Sequence, residues 1–189
     1  MAAALCESGD YPGNGTPVSA ILRMADRYRA DALALLAPGR RGDPVAAAPG
    51  RLLALQAIEL YLNAWLRVAG ETGRQIRSRQ HDLAGRAQAA LASGLGLRRR
   101  TASHLARLTA DREYLRVRYA PDELGALSQL NRLTATLDEV ARKVRAAAAR
   151  PAPASAPAPR PRVAITAGAP LLPPWQAPAT PSGAAGATR

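Results

Sequence analysis

Arg51-Leu-Leu-Ala-Leu-Gln-Ala-Ile-Glu-Leu-Tyr-Leu-Asn-Ala-Trp-Leu-Arg-Val-Ala-Gly70 carries the clearest helical period in the chain. Leu55, Ile58, Leu62, Trp65, Leu66 and Ala69 fall three or four residues apart and form one stripe, which Leu52 and Leu53 extend. Tyr61 and Val68 lie off that stripe, so the helix is expected to be central, with neighbours on more than one side. Gly70 supplies a C-terminal stop.

Working outward, the same period recurs and no alternating strand pattern appears. A first helix is expected from about Pro17–Ser19 to Ala37, with Ile21, Met24, Tyr28, Leu35 and Leu36 as its apolar positions and Pro38-Gly39 ending it. Residues 38–50 read as a loop with a short helical start. A third helix is expected over Asp82–Ser93, with Leu83, Ala87, Ala90 and Leu91 on one face. A fourth covers Thr101–Val117, and Tyr119-Ala-Pro121 breaks it. A fifth runs from Glu123 to Ala149, capped by Asp122, with Leu124, Leu127, Leu130, Leu137, Val140 and Val144 in register. The core residues are Leu, Ala, Ile and Val, since the chain has no Phe. These features predict an all-α fold, an antiparallel up-and-down bundle of four to five helices.

The ends differ in composition. Residues 1–16 are expected to be a disordered lead and 17–149 the helical body. Residues 150–189 open with alternating Pro and Ala and are expected to be a disordered Pro/Ala-rich tail. Leu171-Leu-Pro-Pro-Trp175 is its one apolar segment. No basic leader precedes an apolar core at the N-terminus, and no apolar run approaches the roughly 20 residues of a membrane span. With Cys6 as the single cysteine, a soluble, cytoplasmic protein with no membrane association is expected.

The net charge is +12, and all but one of the 26 basic residues are arginine. Residues 71–150 carry fifteen arginines and Lys143 against eight acids, whereas residues 1–70 are nearly balanced. A basic second half is the footprint of a polyanion binder. GC-rich coding favours Arg, Ala, Gly and Pro alike, so charge alone does not name the ligand.

Chemistry-bearing motifs are few. There is no Gly-rich phosphate loop, zinc spacing or HExxH, so neither a metal site nor a cofactor is expected. What remains is arginine with histidine. Arg74 precedes His81, and Arg98 and Arg99 precede His104. Guanidinium binds phosphate in fixed geometry, and imidazole moves protons near neutrality. His104 reads as a partly exposed residue inside the fourth helix. His81 stands at the mouth of the third helix, where free N–H groups attract anions; packing or capping there is its bland alternative.

Ala57-Ile-Glu-Leu-Tyr-Leu-Asn-Ala-Trp-Leu66, Gln80-His-Asp-Leu83 and Arg116-Val-Arg-Tyr-Ala-Pro121, in that order, resemble the HEPN (higher eukaryotes and prokaryotes nucleotide-binding) superfamily. Its members carry an A-x-E-x-x-L-K-A-x-L helix, a following G-H-D-L and a later R-Y-P turn. Here Asn63 stands for the Lys, Gln80 for the Gly, and Ala120 separates Tyr119 from Pro121. The resemblance implies a helical bundle, often a homodimer, that binds RNA or nucleotide phosphate. Many members are metal-independent ribonucleases of toxin or defence type; others are non-catalytic partners of a small nucleotidyltransferase. Carried onto this chain, His81 would be the acid/base and Arg74 or Arg77 the catalytic phosphate clamp. Arg79 and Arg118 would add phosphate contacts, with Glu59, Asp82 and Tyr119 in support. An antitoxin or nucleotidyltransferase would be the expected partner.

Overall fold

The structure is a computed structural model that describes residue 13 and residues 15–37 and 43–149. The expectations for the N-terminal lead up to residue 12, the Pro/Ala-rich tail and Leu171–Trp175 lie outside the described residues. Among the described residues there are only helices: α1 (Val18–Leu35), α2 (Pro44–Val68), α3 (Gly73–Ser78), α4 (Leu83–Ala92), α5 (Arg99–Ala110), α6 (Glu113–Tyr119), a 3-10 turn (Pro121–Ala126) and α7 (Leu130–Ala148). Five of these have ten residues or more, and they build the all-α bundle expected from the sequence.

α2 is the central element, as its wide apolar surface requires. It packs on α1, α4, α6 and α7, and Leu55, Ile58, Tyr61, Leu62 and Leu66 are buried along it. Each such side chain removed from water stabilises the fold by roughly 1.5–3 kcal/mol. α2 starts seven residues earlier than expected, at Pro44, because Asp43 caps it by accepting from the Val45 N–H at 2.8 Å and Pro is well suited to the first position. Pro49 and Gly50, which read as loop residues, lie inside it. Gly50 is needed there: a Cβ would stand 2.8 Å from Leu36 Cγ, so the missing side chain lets α1 and α2 close together. The fully buried residues of α1 are likewise small, Ala25 and Ala32, while Met24, expected in the apolar face, is 54% exposed.

By length and composition α2 could cross a membrane, contrary to the expectation that no run comes close. In the bundle 56% of that apolar stretch is buried among the other helices, and α2 carries buried Arg51 and Glu59.

Side-chain pairs give the helix directions. Tyr61 Oη donates to Asp26 at 2.6 Å, and Arg29 pairs with Asp138 at 2.7 Å while Arg145 pairs with Asp26. α1 is therefore antiparallel to both α2 and α7. Thr109 Oγ1 accepts the Ala84 N–H, and His104 meets Thr136 while Thr101 meets Glu139. These contacts make α4 with α5, and α5 with α7, antiparallel too. α4 pairs with α2 in ascending order, Arg86 with Glu59 and Ser93 with Trp65, because α3 carries the chain back before α4 begins.

The expected fourth and fifth helices are each divided. α5 and α6 are separated at Arg112, whose φ of +50° is left-handed. That costs about 1–2 kcal/mol for a non-glycine residue, and the break turns Glu113 into the core. Its carboxylate accepts from Arg51 Nη1 at 3.1 Å and from the Ser128 N–H. Ser128 O accepts from Arg51 Nη2 at 2.7 Å. With its backbone held this way, residue 128 cannot belong to a continuous helix. Pro121 therefore starts a 3-10 turn, Asp122 caps nothing, and α7 opens at Leu130.

Candidate functional site around His81

The stretch expected to be a basic loop before His81 contains a helix. Thr72 and Gln75 form a reciprocal capping box, Thr72 Oγ1 accepting from the Gln75 N–H and Gln75 Oε1 from the Thr72 N–H, and this nucleates α3. Ile76 is its buried residue. Arg74 is exposed, and Arg77 lines a groove of about 410 Å³ between α1, α2 and α3 together with Met24, Leu60 and Arg67. The cleft that contains His81 is a different one. The phase fixed by the capping box thus directs the two expected clamp residues elsewhere, and neither lines the His81 cleft. Arg79 does line it, but its guanidinium forks onto Glu71, with Nη2 to Oε1 at 3.0 Å.

After α3 the chain turns through Gln80, at φ +45°. Gln80 occupies the place where the resembling pattern has glycine, and it adopts the left-handed conformation that glycine adopts freely. His81 follows, with Asp82 as the N-cap of α4. The N–H of Gly85 is taken by Asp82 Oδ1 at 2.9 Å and that of Ala84 by Thr109 Oγ1 at 2.9 Å. Two of the N–H groups at the mouth of α4 are therefore taken by the protein's own acceptors, one of them anionic. The expected phosphate seat therefore does not have the Ala84 and Gly85 N–H groups to draw on.

His81 is instead oriented by α2. Its Nδ1 lies 3.1 Å from Glu59 Oε2. The imidazole is about half exposed and Glu59 is 8% exposed. The other carboxylate oxygen, Oε1, accepts from Arg86 Nη2 at 3.2 Å. Arg86 is 2% exposed and is held on all sides: Nε donates to Asn63 Oδ1 at 2.8 Å, and Nη1 to the carbonyls of Arg79 and Asp82 at 3.3 and 3.2 Å. Burial pulls the Arg86 guanidinium below its ordinary range, and the Glu59 charge opposes that pull. Asn63, which replaces the lysine of the resembling helix, thus has a defined task as a neutral acceptor for a buried arginine. Because a carboxylate only accepts, Nδ1 donates to Glu59, and in the neutral ring the lone pair is then on Nε2.

One face of the imidazole is covered. Tyr114 stacks on it with ring centroids 3.9 Å apart. Arg118 lies over Tyr114 at 5.1 Å and over Tyr119 at 4.7 Å, and its Nη2 donates to Tyr119 Oη at 2.6 Å. Of the expected set, Glu59, His81 and Asp82 are neighbours here, whereas Arg118 and Tyr119 connect to His81 only through Tyr114 and do not line its cleft. Beside His81 is a cleft of about 250 Å³ whose cationic walls are Arg79 and Arg112 and whose floor includes Leu55 and Leu83.

Comparison with protein-family models, curated proteins and solved structures finds no match.

Sequence reasoning missed Arg86, Asn63, Arg112 and Tyr114. Arg86 had a legible signal: it lies three residues after Leu83 and four before Ala90, on the buried stripe of α4, where a charge requires a buried partner.

His104 differs from its expectation more sharply. It is fully buried, with Nδ1 2.7 Å from Thr136 Oγ1 and Nε2 without a hydrogen-bond partner. Burial, with the positive charges of Arg132, Arg107 and Arg51 added and only Glu113 opposing, pushes the imidazole down to about 4. No cluster of His, Cys, Asp or Glu suited to a metal ion occurs among the described residues.

Proposed function

We propose that this chain is a HEPN-like helical domain that binds RNA through the His81 cleft and cleaves it without a metal ion. The observation that carries this reading is the half-exposed His81 imidazole, fixed by an almost buried carboxylate that is itself held by a buried guanidinium. A solvent-facing base oriented by a third group is the arrangement used to activate a hydroxyl. His81 Nε2 would take the proton from a ribose 2′-hydroxyl. The 2′-oxygen would attack phosphorus, the P–O5′ bond would break, and the 5′-oxygen would take a proton from solvent, leaving a 2′,3′-cyclic phosphate. Arg112, in the wall of the His81 cleft, replaces Arg74 and Arg77 as the cation that could stabilise charge developing on the phosphorane. The resemblance adds a homodimer with an antitoxin or nucleotidyltransferase partner, and the cysteine usage and N-terminal composition a cytoplasmic setting.

The test is incubation of purified protein with total RNA in EDTA. Wild type should leave cyclic-phosphate ends and His81→Ala should not. Equal cleavage by both refutes the assignment of His81.

A second reading, a non-catalytic helical partner protein, is favoured by α6. Leu115 and Tyr119 are 44% and 67% exposed there, with Arg118 beside them, and aromatic residues with arginine are enriched at protein interfaces. In that case a co-purifying protein should be lost on Tyr119→Ala and Leu115→Ser but retained by His81→Ala.

A further inference from the structure

The largest cleft among those described lies away from His81. It is a groove of about 580 Å³ between α5 and α7, with Arg98, Arg100, Arg132, Arg142, Asp138 and Glu139 in its walls. Both acids are already committed. Asp138 accepts from Arg29 Nη2 at 2.7 Å, and Glu139 accepts from the Arg98 N–H and from Thr101 Oγ1, both at 2.8 Å. Burial works to raise Glu139, but these two hydrogen bonds and the charges of Arg98 and Lys143 outweigh it and hold the carboxyl below its ordinary range. It is therefore a fixed anion satisfied by its own neighbours.

The side chains of Arg100, Arg132 and Arg142 are exposed and engage no acid in a salt bridge among the described residues. Unpaired guanidiniums gathered in one groove repel one another unless an anion enters. Arg132 also faces an adjoining cleft of about 270 Å³ that takes in Arg107, so the basic lining continues along the α5–α7 seam. Arg132 and Arg142 are ten residues apart on α7, which is about 15 Å at 1.5 Å per residue. That is too long for one phosphate group and suits successive phosphates along a strand. On α5, Arg100 and Arg107 lie on the flank towards α7, whereas Thr109 lies on the flank towards α4, where it joins the His81 cleft.

We infer that the α5–α7 groove is a second binding site, separate from His81, for the phosphate backbone of a nucleic-acid strand. The inference deepens the RNA reading above by naming where the strand is held, but it stands on different residues.

Fluorescence anisotropy with a labelled single-stranded 20-nucleotide RNA, from 50 to 300 mM salt, tests it on the full chain. Removing three phosphate contacts (Arg100→Gln, Arg132→Gln, Arg142→Gln) should flatten the slope of log affinity against log salt by about 2 and weaken binding on the order of 100-fold at 0.1 M salt. A control with the same charge loss on the α1 side (Arg23→Gln, Arg27→Gln, Arg145→Gln) should retain most of the affinity. All three proteins are compared at equal helical content by circular dichroism. The inference is overturned by a groove variant that binds like wild type, by a control that loses as much as the groove variant, or by wild type failing to bind at 50 mM salt. Displacement of the RNA by ATP at equal concentration also overturns it, since the groove would then take a compact polyphosphate rather than a strand. Salt-dependent binding that the groove variant loses, with no cleavage of total RNA by wild type in EDTA, refutes the His81 reading and leaves this site standing, so either can fail alone.

Discussion

His81 and His104 show how little residue type decides and how much its neighbours do. His81 exposes half of its side chain and has a carboxylate at Nδ1, whereas His104 is sealed between α5 and α7 with one nitrogen unsatisfied. His104 has a thermodynamic consequence. Its folded value of about 4 is below the ordinary 6.5, so below pH 6.5 the unfolded chain takes up a proton that the folded protein refuses. Stability should be flat above pH 6.5 and decline as pH falls towards 4, by about 3 kcal/mol for this group. Urea titrations across that range should show the decline, and it should be largely absent in the double variant His104→Leu, Thr136→Val, which removes both ends of the buried hydrogen bond. At Gln80 the left-handed φ makes the opposite kind of test. Gln80→Gly relieves backbone strain but frees the unfolded chain, for a net gain of about 0.5–1 kcal/mol, read as a rise in urea midpoint.

At the scale of elements, local pattern was legible wherever a helix keeps one apolar face. α1, the body of α2, α4 and the second half of α7 follow the three-four spacing of their Leu, Ile, Val and Ala residues. It was not legible where distant residues set the boundary. Ala110-Asp-Arg-Glu113 contains neither Gly nor Pro, and nothing in its propensities interrupts a helix. The break exists because Glu113 must reach Arg51, 62 residues earlier in the chain. The same pair with Ser128 delays α7. Both side chains are almost completely buried, and burial pulls the Arg51 guanidinium below its ordinary range against the attraction of Glu113. Glu113→Ala leaves that guanidinium buried without its counter-ion. It should destabilise the fold by about 3–5 kcal/mol, whereas Arg51→Met with Glu113→Leu should cost much less. Thermal melts of the three proteins distinguish a structural ion pair from a dispensable one.

Across the whole molecule, the bundle presents two basic clefts on opposite flanks of α5, one beside His81 and one along α7. The sequence announced basic character and a histidine beside a helix start, and the resemblance added Glu59, which meets His81, and Arg118 and Tyr119, which connect to it only through Tyr114. It did not reveal which arginines would join them. Arg74 and Arg77 are close to His81 in the chain but are turned away by the α3 capping box. Arg112 is far away in the chain and is brought back where α5 gives way to α6, and Arg86 acts from beneath. Proximity in sequence misleads here because one unrecognised turn of helix resets the direction of every side chain on it.

If His81 supplies the proton transfer, a small molecule with the same chemistry should replace it. RNA cleavage in EDTA by His81→Ala should fall by about 100-fold or more and be restored in part by added imidazole, with restoration following the concentration of neutral imidazole. Wild-type cleavage by His81→Ala without imidazole, or a loss that no concentration of imidazole restores in a folded variant, contradicts the role given to His81.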